Sequence, residues 1–315
     1  MAAIPVTLST KEAAGRLATI AYTDYSDPDT FNPKPDIAAA LRAMPSSANG
    51  PYELLWGPSV NNGILSFVAQ SSVDQSYAIA FRGSLNSDAD AVGYFTNWAD
   101  DLLGLMMVPW KYPQSAGAYV SSGMNDALAL AVAATDPDSG TTMVDFLREQ
   151  LRKAPNPIMT TGHSLGAAMA NIAAVWLKDQ VPRADGPADV GVTPFTFAAP
   201  TVTDKAFAGL FGTLCPVAYH CMNTLDIVPM AWTNILGVQT SFPSPGQTLL
   251  SYNFPLWLAV GGAAIITGKL GYTALPGTLD KFQGPDPKEG TTYATEAGTQ
   301  HWMQGTYLPH VLPSP

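Results

Sequence analysis

A serine between two glycines, in the pentapeptide Gly162–Gly166 (Gly-His-Ser-Leu-Gly), constrains the fold of this chain more than any other feature. The preceding residues, Pro157–Thr161, are partly β-branched and predict a strand, whereas the alanine-rich residues Ala167–Leu177 predict a helix. A glycine–X–serine–X–glycine pattern in this context is typical of a sharp turn that exposes a nucleophilic serine, here Ser164. Because glycines lack a Cβ atom, they let the strand and the helix pass close to each other. We call residues 162–166 the serine turn.

The composition predicts a folded domain with a large core. Apolar residues make up 47% of the 315 residues and charged residues 13%, which gives no signature of disorder. Chains of this length often form one α/β domain, and no repeat, charge run or linker divides the sequence. We therefore expect a single domain over residues 1–315. The net charge of −10 and the lack of a basic stripe argue against a nucleic-acid partner.

The sequence predicts neither a membrane-spanning segment nor a signal peptide. The longest apolar stretch, Phe254–Thr267, contains Gly261 and Gly262 and is too short to span a bilayer. We interpret it as a buried helix or part of a substrate wall. The first residues, Met1–Pro5, lack the basic and apolar regions of a signal peptide.

Cys215 and Cys221 are the two cysteines and flank a predicted strand. Six residues of extended chain separate their Cα atoms by about 20 Å, whereas a disulfide needs less than about 7 Å. We therefore predict two free thiols. Their spacing is also not that of a metal or redox site, and we expect neither a metal nor a cofactor.

Short apolar strands alternate with helical patterns, which predicts a mostly parallel sheet covered by helices on both faces. The predicted helices besides the one after the serine turn are Thr10–Tyr22 (capped by Ser9 or Thr10), Ser122–Ala134 and Met143–Arg152. The predicted strands besides the one before it are Ile64–Ala69, Ser76–Phe81, Pro194–Ala198 and Val217–Met222. The region Ala231–Pro285 is rich in glycine and proline, and we expect it to be less regular.

A serine hydroxyl becomes a strong nucleophile when a base removes its proton and a third group fixes the tautomer of that base. In chains with this kind of turn, the acid and then the histidine follow the serine. Asp226 lies just past the strand that is predicted to end near Met222, and it is therefore the candidate acid. The alternative role for Asp226 is that of a turn-forming aspartate.

Four histidines are candidates for the base. His163 lies inside the serine turn, and we expect its side chain to point away from the position of a base. His220 precedes the candidate acid and lies on a predicted strand, where a hydrogen-bonded structural role is expected. His301, which we predict opens a helix that continues through Tyr307, is favoured over His310, which lies in a proline-flanked tail that is expected to be mobile.

Acyl transfer also needs two rigid N–H donors for the negative charge that develops on the substrate oxygen. The residue after the serine, Leu165, is the first candidate. The second is Ser84, which follows an apolar strand in the segment Phe81–Ser84. Gly83 lets the backbone turn at that point, so that Ser84 can present its N–H and its hydroxyl.

Five segments, in order, resemble the class 3 lipase family, the α/β hydrolases that include fungal triglyceride lipases and plant phospholipases. The segments are Ala80–Ser84, Asn97–Leu102, Thr161–Ala167, Thr196–Pro200 and Asn223–Pro229. The resemblance covers roughly residues 60 to 310 and implies an α/β-hydrolase fold with a mostly parallel central sheet. It also implies a catalytic triad of Ser164, Asp226 and a C-terminal histidine, with Ser84 and Leu165 as the oxyanion hole.

Two positions depart from the family pattern. Ala198 stands where the family usually has glycine, and Thr201 stands where it often has arginine. Both lie beside the sheet rather than in the triad, so we do not expect them to impair catalysis. The spacing His-x-x-x-x-x-Tyr-Leu, from His301 to Leu308, is similar to that of bacterial relatives and favours His301 as the base.

The resemblance implies a serine carboxylic-ester hydrolase, foremost a triacylglycerol lipase that forms an acyl-enzyme at a lipid–water interface. It favours a secreted protein, whereas the first residues show no signal peptide, so the location stays open. Alternatives on the same fold are a phospholipase A1 and a feruloyl-type esterase; a peptidase or a thioesterase could use the same triad. From another class, a non-catalytic lipase-like binding protein is the alternative. The family also suggests a lid over Asn86–Leu102, where apolar and acidic residues alternate with partial helical spacing. A surface helix packed permanently on the core is the other interpretation of that segment.

Overall fold

A computed structural model of the chain describes residues 2–23, 32–83, 106–112, 114–181, 189–230, 233, 268–288 and 290–313. The strands in these ranges are β1 (Tyr52–Asn61), β2 (Ile64–Ser71), β3 (Tyr77–Phe81), β4 (Met107–Lys111), β5 (Gln114–Ser121), β6 (Ile158–His163), β7 (Val192–Phe197), β8 (Tyr219–Asn223) and β9 (Thr278–Phe282). The α-helices are α1 (Leu8–Ile20), α2 (Lys34–Arg42), α3 (Ser122–Ala133), α4 (Met143–Lys153), α5 (Leu165–Gln180), α6 (Lys205–Leu214), α7 (Tyr293–His301) and α8 (Leu308–Val311).

Seven of the strands form one sheet in the order β1-β2-β3-β6-β7-β8-β9, and β4 pairs with β5 in a separate hairpin. The pairs from β3 to β9 are all parallel, while β1–β2 and β2–β3 are antiparallel. The prediction of a mostly parallel sheet is therefore confirmed. Because the carboxyl ends of parallel strands meet at one edge, the loops after β3, β6, β7 and β8 lie at the same edge of the sheet.

The core has two parts, one on each face of the sheet, as alternation along β3 shows. Tyr77, Ile79 and Phe81 belong to the larger cluster, which includes the buried residues of α3, α4 and α5. Ala78 and Ala80 belong to the other cluster, with the buried residues of α1 and α2. Neighbouring side chains of a strand point to opposite faces. Helices therefore cover both faces, as predicted.

Helix α1 begins earlier than the sequence predicted. We expected Thr10–Tyr22 with Ser9 or Thr10 as the cap, but Thr7 is the N-cap. The Thr7 hydroxyl accepts a hydrogen bond from the Thr10 N–H at 3.2 Å, and the Thr10 hydroxyl lies 2.8 Å from the Thr7 N–H. This reciprocal capping box satisfies two N–H groups that have no partner inside the helix.

The predicted strands, the helices Ser122–Ala134 and Met143–Arg152 and the helix after the serine turn are confirmed to within a few residues at each end. The apolar stretch Phe254–Thr267 lies outside the described residues. Cys215 and Cys221 are free buried thiols, as predicted. No sequence pattern predicted β1, the β4–β5 hairpin, α2, α6, α7 or α8. Strand β9 was not predicted either, and it lies inside the region that we expected to be less regular. β9 is mostly polar and exposed, so it has no apolar alternation for a pattern to detect.

Candidate active site

Ser164 lies between β6 and α5, where the sequence predicted a sharp turn. Its backbone has φ 60° and ψ −130°, a conformation that residues with a side chain rarely adopt. Its N–H donates to the Phe197 carbonyl at 3.0 Å, which ties the turn to the end of β7. Strain at an otherwise well-packed turn is typical of a position that serves function.

The two glycines of the serine turn are required by close backbone contacts. A Cβ on Gly162 would lie 2.4 Å from the carbonyl of Gly166 and 2.8 Å from the carbonyl oxygen of Phe81. A Cβ on Gly166 would lie 2.3 Å from the same Phe81 oxygen. Backbone atoms cannot move aside as a flexible side chain can. The tight turn therefore requires glycine at both positions, because a side chain at either would overlap backbone atoms.

Asp226 lies in the loop after β8, as predicted, and it is completely buried. Its Oδ1 accepts the Val228 N–H at 2.9 Å. The loop is shaped by Asn223, whose side-chain oxygen accepts the N–H groups of Leu225 at 3.0 Å and Gly284 at 2.8 Å. A fully hydrogen-bonded amide thus fixes the path of the chain that leads to the acid.

His301 lies beside Asp226, with 2.7 Å between its Nδ1 and Oδ2 of Asp226. The prediction that His301 opens a helix through Tyr307 is wrong, since it is the last residue of α7. Trp302 has extended backbone angles, and a short π-helical segment, Met303–Tyr307, follows. The helix end places the imidazole against the acid.

The Asn223 side chain also holds α7 in place. Its Nδ2 donates to the backbone carbonyl of Gln300 at 2.9 Å and to Oε1 of Gln300 at 2.8 Å. Gln300 precedes His301 and is itself fully buried. The amide that shapes the acid loop thus also fixes the residue next to the imidazole.

Tyr307 is a residue of the site whose role the sequence analysis missed. Its hydroxyl donates to Oδ2 of Asp226 at 2.6 Å and accepts the Asn223 N–H at 3.1 Å. Burial, together with the negative charge of Asp226, holds the pKa of Tyr307 well above its usual range, so the hydroxyl keeps its proton. The only signal for this role in the sequence is the spacing from His301.

The ring of His163 does not point away from the base, contrary to our expectation. It lies against His301, with ring centroids 4.4 Å apart and an interplanar angle of 36°. Burial foremost, and then the neighbouring His301, hold the pKa of His163 well below its usual range. His163 is therefore neutral, and its ring packs against the ring of His301.

The remaining two histidines have structural partners. His220 lies 2.8 Å from the hydroxyl of Thr196 through Nδ1 and 3.2 Å from the carbonyl of Pro276 through Nε2, as expected for a structural histidine. His310 is not in a loose tail: it lies in α8 and stacks on Phe282 at 4.1 Å. Its Nε2 is 3.1 Å from Oδ1 of Asp280.

Of the two predicted oxyanion donors, Leu165 is described and Ser84 lies outside the described residues. Leu165 is the first residue of α5, where backbone N–H groups have no partner inside the helix and the helix dipole favours negative charge. A Cβ on Gly83 would lie 3.2 Å from Cβ of Ser164. The chain that leads to Ser84 therefore touches the nucleophile.

The predicted lid, Asn86–Leu102, also lies outside the described residues. No helix in the described part of the chain is long and apolar enough to cross a membrane. In the same residues, no group of three or more His, Cys, Asp or Glu side chains could hold a metal ion.

Comparison with known structures shows the fold. The M37 lipase structure aligns over 98% of this chain and 92% of its own, with a TM-score of 0.81 and 21% identity. A triacylglycerol lipase whose catalytic centre is described as a serine protease triad aligns over 73% of this chain and 76% of its own (TM-score 0.52, 20% identity). The triacylglyceride lipase of Rhizomucor miehei aligns over 72% and 75% (TM-score 0.50, 21% identity).

No curated protein sequence matches the chain significantly. The sequence profile of the family described as lipase (class 3) matches residues 78–235, which is half of the chain. That range includes the serine turn and Asp226. The predicted α/β-hydrolase fold is confirmed by the neighbouring lipase structures. The protein therefore belongs to the class 3 lipases and is an ester hydrolase of that family.

Proposed function

We propose that this protein is a triacylglycerol lipase that uses Ser164 as nucleophile, His301 as base and Asp226 as the group that orients the base. The contact of 2.7 Å between Nδ1 of His301 and Oδ2 of Asp226 carries the proposal. It assigns Nδ1–H to the acid and leaves Nε2 to exchange a proton with the serine. The ring of His163, the residue before Ser164, packs against the same imidazole, so His301 lies beside the serine turn.

The environment of Asp226 supports its role. The buried carboxylate accepts three hydrogen bonds, from the Val228 N–H, the Tyr307 hydroxyl and the imidazole of His301. These donors compensate for the loss of water around the charge. The carboxylate can then stabilise the imidazolium that forms when His301 takes a proton.

In the proposed reaction, Oγ of Ser164 attacks the ester carbonyl while Nε2 of His301 takes the hydroxyl proton. The oxyanion is stabilised by the N–H groups of Leu165 and Ser84. The carbonyl re-forms, the bond to the alcohol breaks, and His301 gives the alcohol its proton. Water then attacks the acyl-enzyme as His301 takes a proton from it, and the fatty acid leaves as Ser164 is reprotonated.

Two variants test the nucleophile and the base. Ser164→Ala should lower kcat for an acylglycerol by about 10⁴-fold or more, because the covalent step is lost. A phosphonate ester should modify Ser164, as peptide mass analysis would show. His301→Ala should cause a similar loss, while His310→Ala, in the same C-terminal segment but paired with Asp280, should keep kcat within about twofold. Full turnover by folded Ser164→Ala would refute the mechanism.

A series of ester substrates tests the substrate class. The assignment to acylglycerols is supported by the class 3 lipase family and by neighbours that are triacylglycerol lipases. Hydrolysis should rise from p-nitrophenyl butyrate to longer acyl chains and extend to emulsified triacylglycerol. Activity that falls beyond butyrate, with preference for feruloyl esters, would instead identify an aryl esterase. Preference for the sn-1 ester of phospholipids would identify a phospholipase A1.

A further inference from the structure

His163 is buried between parts of the site to which it supplies no catalytic group. Its ring centroid lies 4.4 Å from that of His301 and 5.5 Å from that of Tyr307, the latter in an edge-to-face arrangement. The residue is 4% exposed. The residue that precedes the nucleophile thus packs against both the base and the tyrosine that binds the acid.

The contact with His163 completes the placement of the base. Asp226 binds Nδ1 of His301 at 2.7 Å, and that hydrogen bond by itself does not fix the tilt of the imidazole about the bond axis. A ring packed against the face of His301 restricts this tilt. Small errors in the position of a reacting group lower the rate strongly, so the restriction bears on turnover.

A polar ring at this position is costly. Nε2 of His163 is buried and has no hydrogen-bond partner of good geometry among the described residues. A phenyl ring would fill the same volume without an unsatisfied nitrogen. Packing alone therefore does not explain a histidine at this position, whereas a hydrogen bond to its other nitrogen, Nδ1, does.

Tyr22, just after α1, holds the second nitrogen. Its hydroxyl lies 3.1 Å from Nδ1 of His163, with a longer contact of 3.4 Å to the His163 carbonyl. In the shorter contact either group can donate, according to the tautomer of His163. A Cβ on Gly83 would lie 2.3 Å from the same hydroxyl, so Tyr22 also touches the chain that leads to Ser84. The hydroxyl is thus fixed between two backbones of the site.

We propose that Tyr22 and His163 form a positioning pair for the base: Tyr22 fixes the ring of His163, and that ring fixes the imidazole of His301 for transfer of the serine proton. Neither side chain exchanges a proton with the serine or the substrate in the proposed reaction. The pair links the end of α1 to the base through the residue before the nucleophile. This proposal rests on the role proposed for His301.

The test uses Tyr22→Phe, His163→Phe and the double variant, assayed with a soluble p-nitrophenyl ester. We expect kcat to fall about 5-fold in Tyr22→Phe and about 20-fold in His163→Phe, with KM within twofold, since positioning rather than binding is lost. The double variant should match His163→Phe, because Tyr22 acts through His163. The downfield proton signal of the His301–Asp226 hydrogen bond should shift or broaden in all three proteins.

Tyr219→Phe is the matched control, since it removes a hydroxyl that binds Asp280 at 2.6 Å outside this pair. It should leave kcat and the proton signal unchanged. Wild-type kcat and signal in both single variants would overturn the proposal, as would a further 5-fold loss when Tyr22→Phe is added to His163→Phe. If His163→Phe does not fold, Tyr22→Phe alone decides, since it removes one oxygen from a half-buried side chain. Failure of the proposed function would appear separately, as turnover by His301→Ala.

Discussion

The serine turn and the C-terminal segment that carries His301 are held in place by different kinds of contact. In the turn, residues 162–166 are fixed by backbone atoms, with the two glycines packed against each other and against the end of β3. In the segment 293–311, which we call the base segment, side chains make the decisive hydrogen bonds. The partners of His301, Gln300 and Tyr307 lie 75 to 81 residues earlier in the chain.

This difference separates two ways in which the site can fail. A side chain added at the turn forces backbone atoms apart, so the fold itself is affected. A side chain changed in the contacts of the base segment removes a hydrogen bond that orients a group, so turnover is affected before stability.

Asp226→Asn should lower kcat by about 10³- to 10⁴-fold, because an amide cannot stabilise the imidazolium and favours the wrong tautomer of His301. KM and the circular dichroism spectrum should change little. Steady-state kinetics with a soluble ester measures the loss. Asp280→Asn is the matched control, since Asp280 contacts the other C-terminal histidine, His310, at 3.1 Å. Equal losses in both variants would show that the two acid–histidine pairs do not differ in role.

Gly162→Ala should destabilise the protein by about 3 kcal/mol or more, because its Cβ would overlap the carbonyl of Gly166. Urea unfolding of the purified variant, or its failure to accumulate folded, measures this. Gly209→Ala is the control: Gly209 lies in α6 with open space around it, and alanine should stabilise the helix by about 0.5 to 1 kcal/mol. A stable, inactive Gly162→Ala protein would show that a change in the serine turn affects turnover before stability.

The same difference explains what the sequence could predict. A strand, two glycines and an alanine-rich helix are local signals, and they were sufficient to predict β6, the serine turn and α5. The order of residues along the chain also identified Asp226 and His301 as candidates. Their contact at 2.7 Å agrees with that choice.

The orientation of the side chains in the base segment could not be predicted, because contacts with residues far away in the sequence determine it. Helix α7 ends just before Trp302, although neither glycine nor proline marks that end in the sequence. Near this end, Gln300 is held by a hydrogen bond from the side chain of Asn223, which lies in a distant part of the chain. The contact between the rings of His163 and His301 also joins residues that are far apart in the sequence. Ala198 has φ +55°, which explains in physical terms why glycine is usual at that position of the family.

Tyr307→Phe should lower kcat about 10-fold and the free energy of unfolding by about 1 to 2 kcal/mol. The variant removes a donor to Asp226 and leaves the buried Asn223 N–H without its acceptor. Kinetics and urea unfolding measure the two effects. Tyr219→Phe removes another buried hydroxyl and should affect stability alone. A Tyr307→Phe protein that loses stability but keeps kcat would limit Tyr307 to a structural role.

The smallest effect concerns the outer attachment of the base segment, at Asp280. Burial raises the pKa of Asp280, but hydrogen bonds from Tyr219, Lys11 and His310 outweigh it and lower the pKa to about 2. An aspartate in the unfolded chain has a pKa of about 3.9. The stabilisation is therefore fully present above about pH 4 and is lost as the pH falls towards 2. Since Asp280 is partly exposed, screening reduces it to about 1 kcal/mol.

Urea unfolding of the wild type and Asp280→Asn between pH 2 and pH 6 tests this attachment. The wild type should be about 1 kcal/mol more stable at pH 6, and the two proteins should converge near pH 2 because the protonated acid no longer binds Lys11 as an ion pair. Asp138→Asn, which removes a highly exposed partner of Lys34, should change stability by less than about 0.5 kcal/mol at every pH. A constant difference between wild type and Asp280→Asn across the range would mean that charge at Asp280 does not hold the base segment. The altered packing and hydrogen bonding of asparagine at position 280, which would be the same at every pH, would then account for the whole difference in stability.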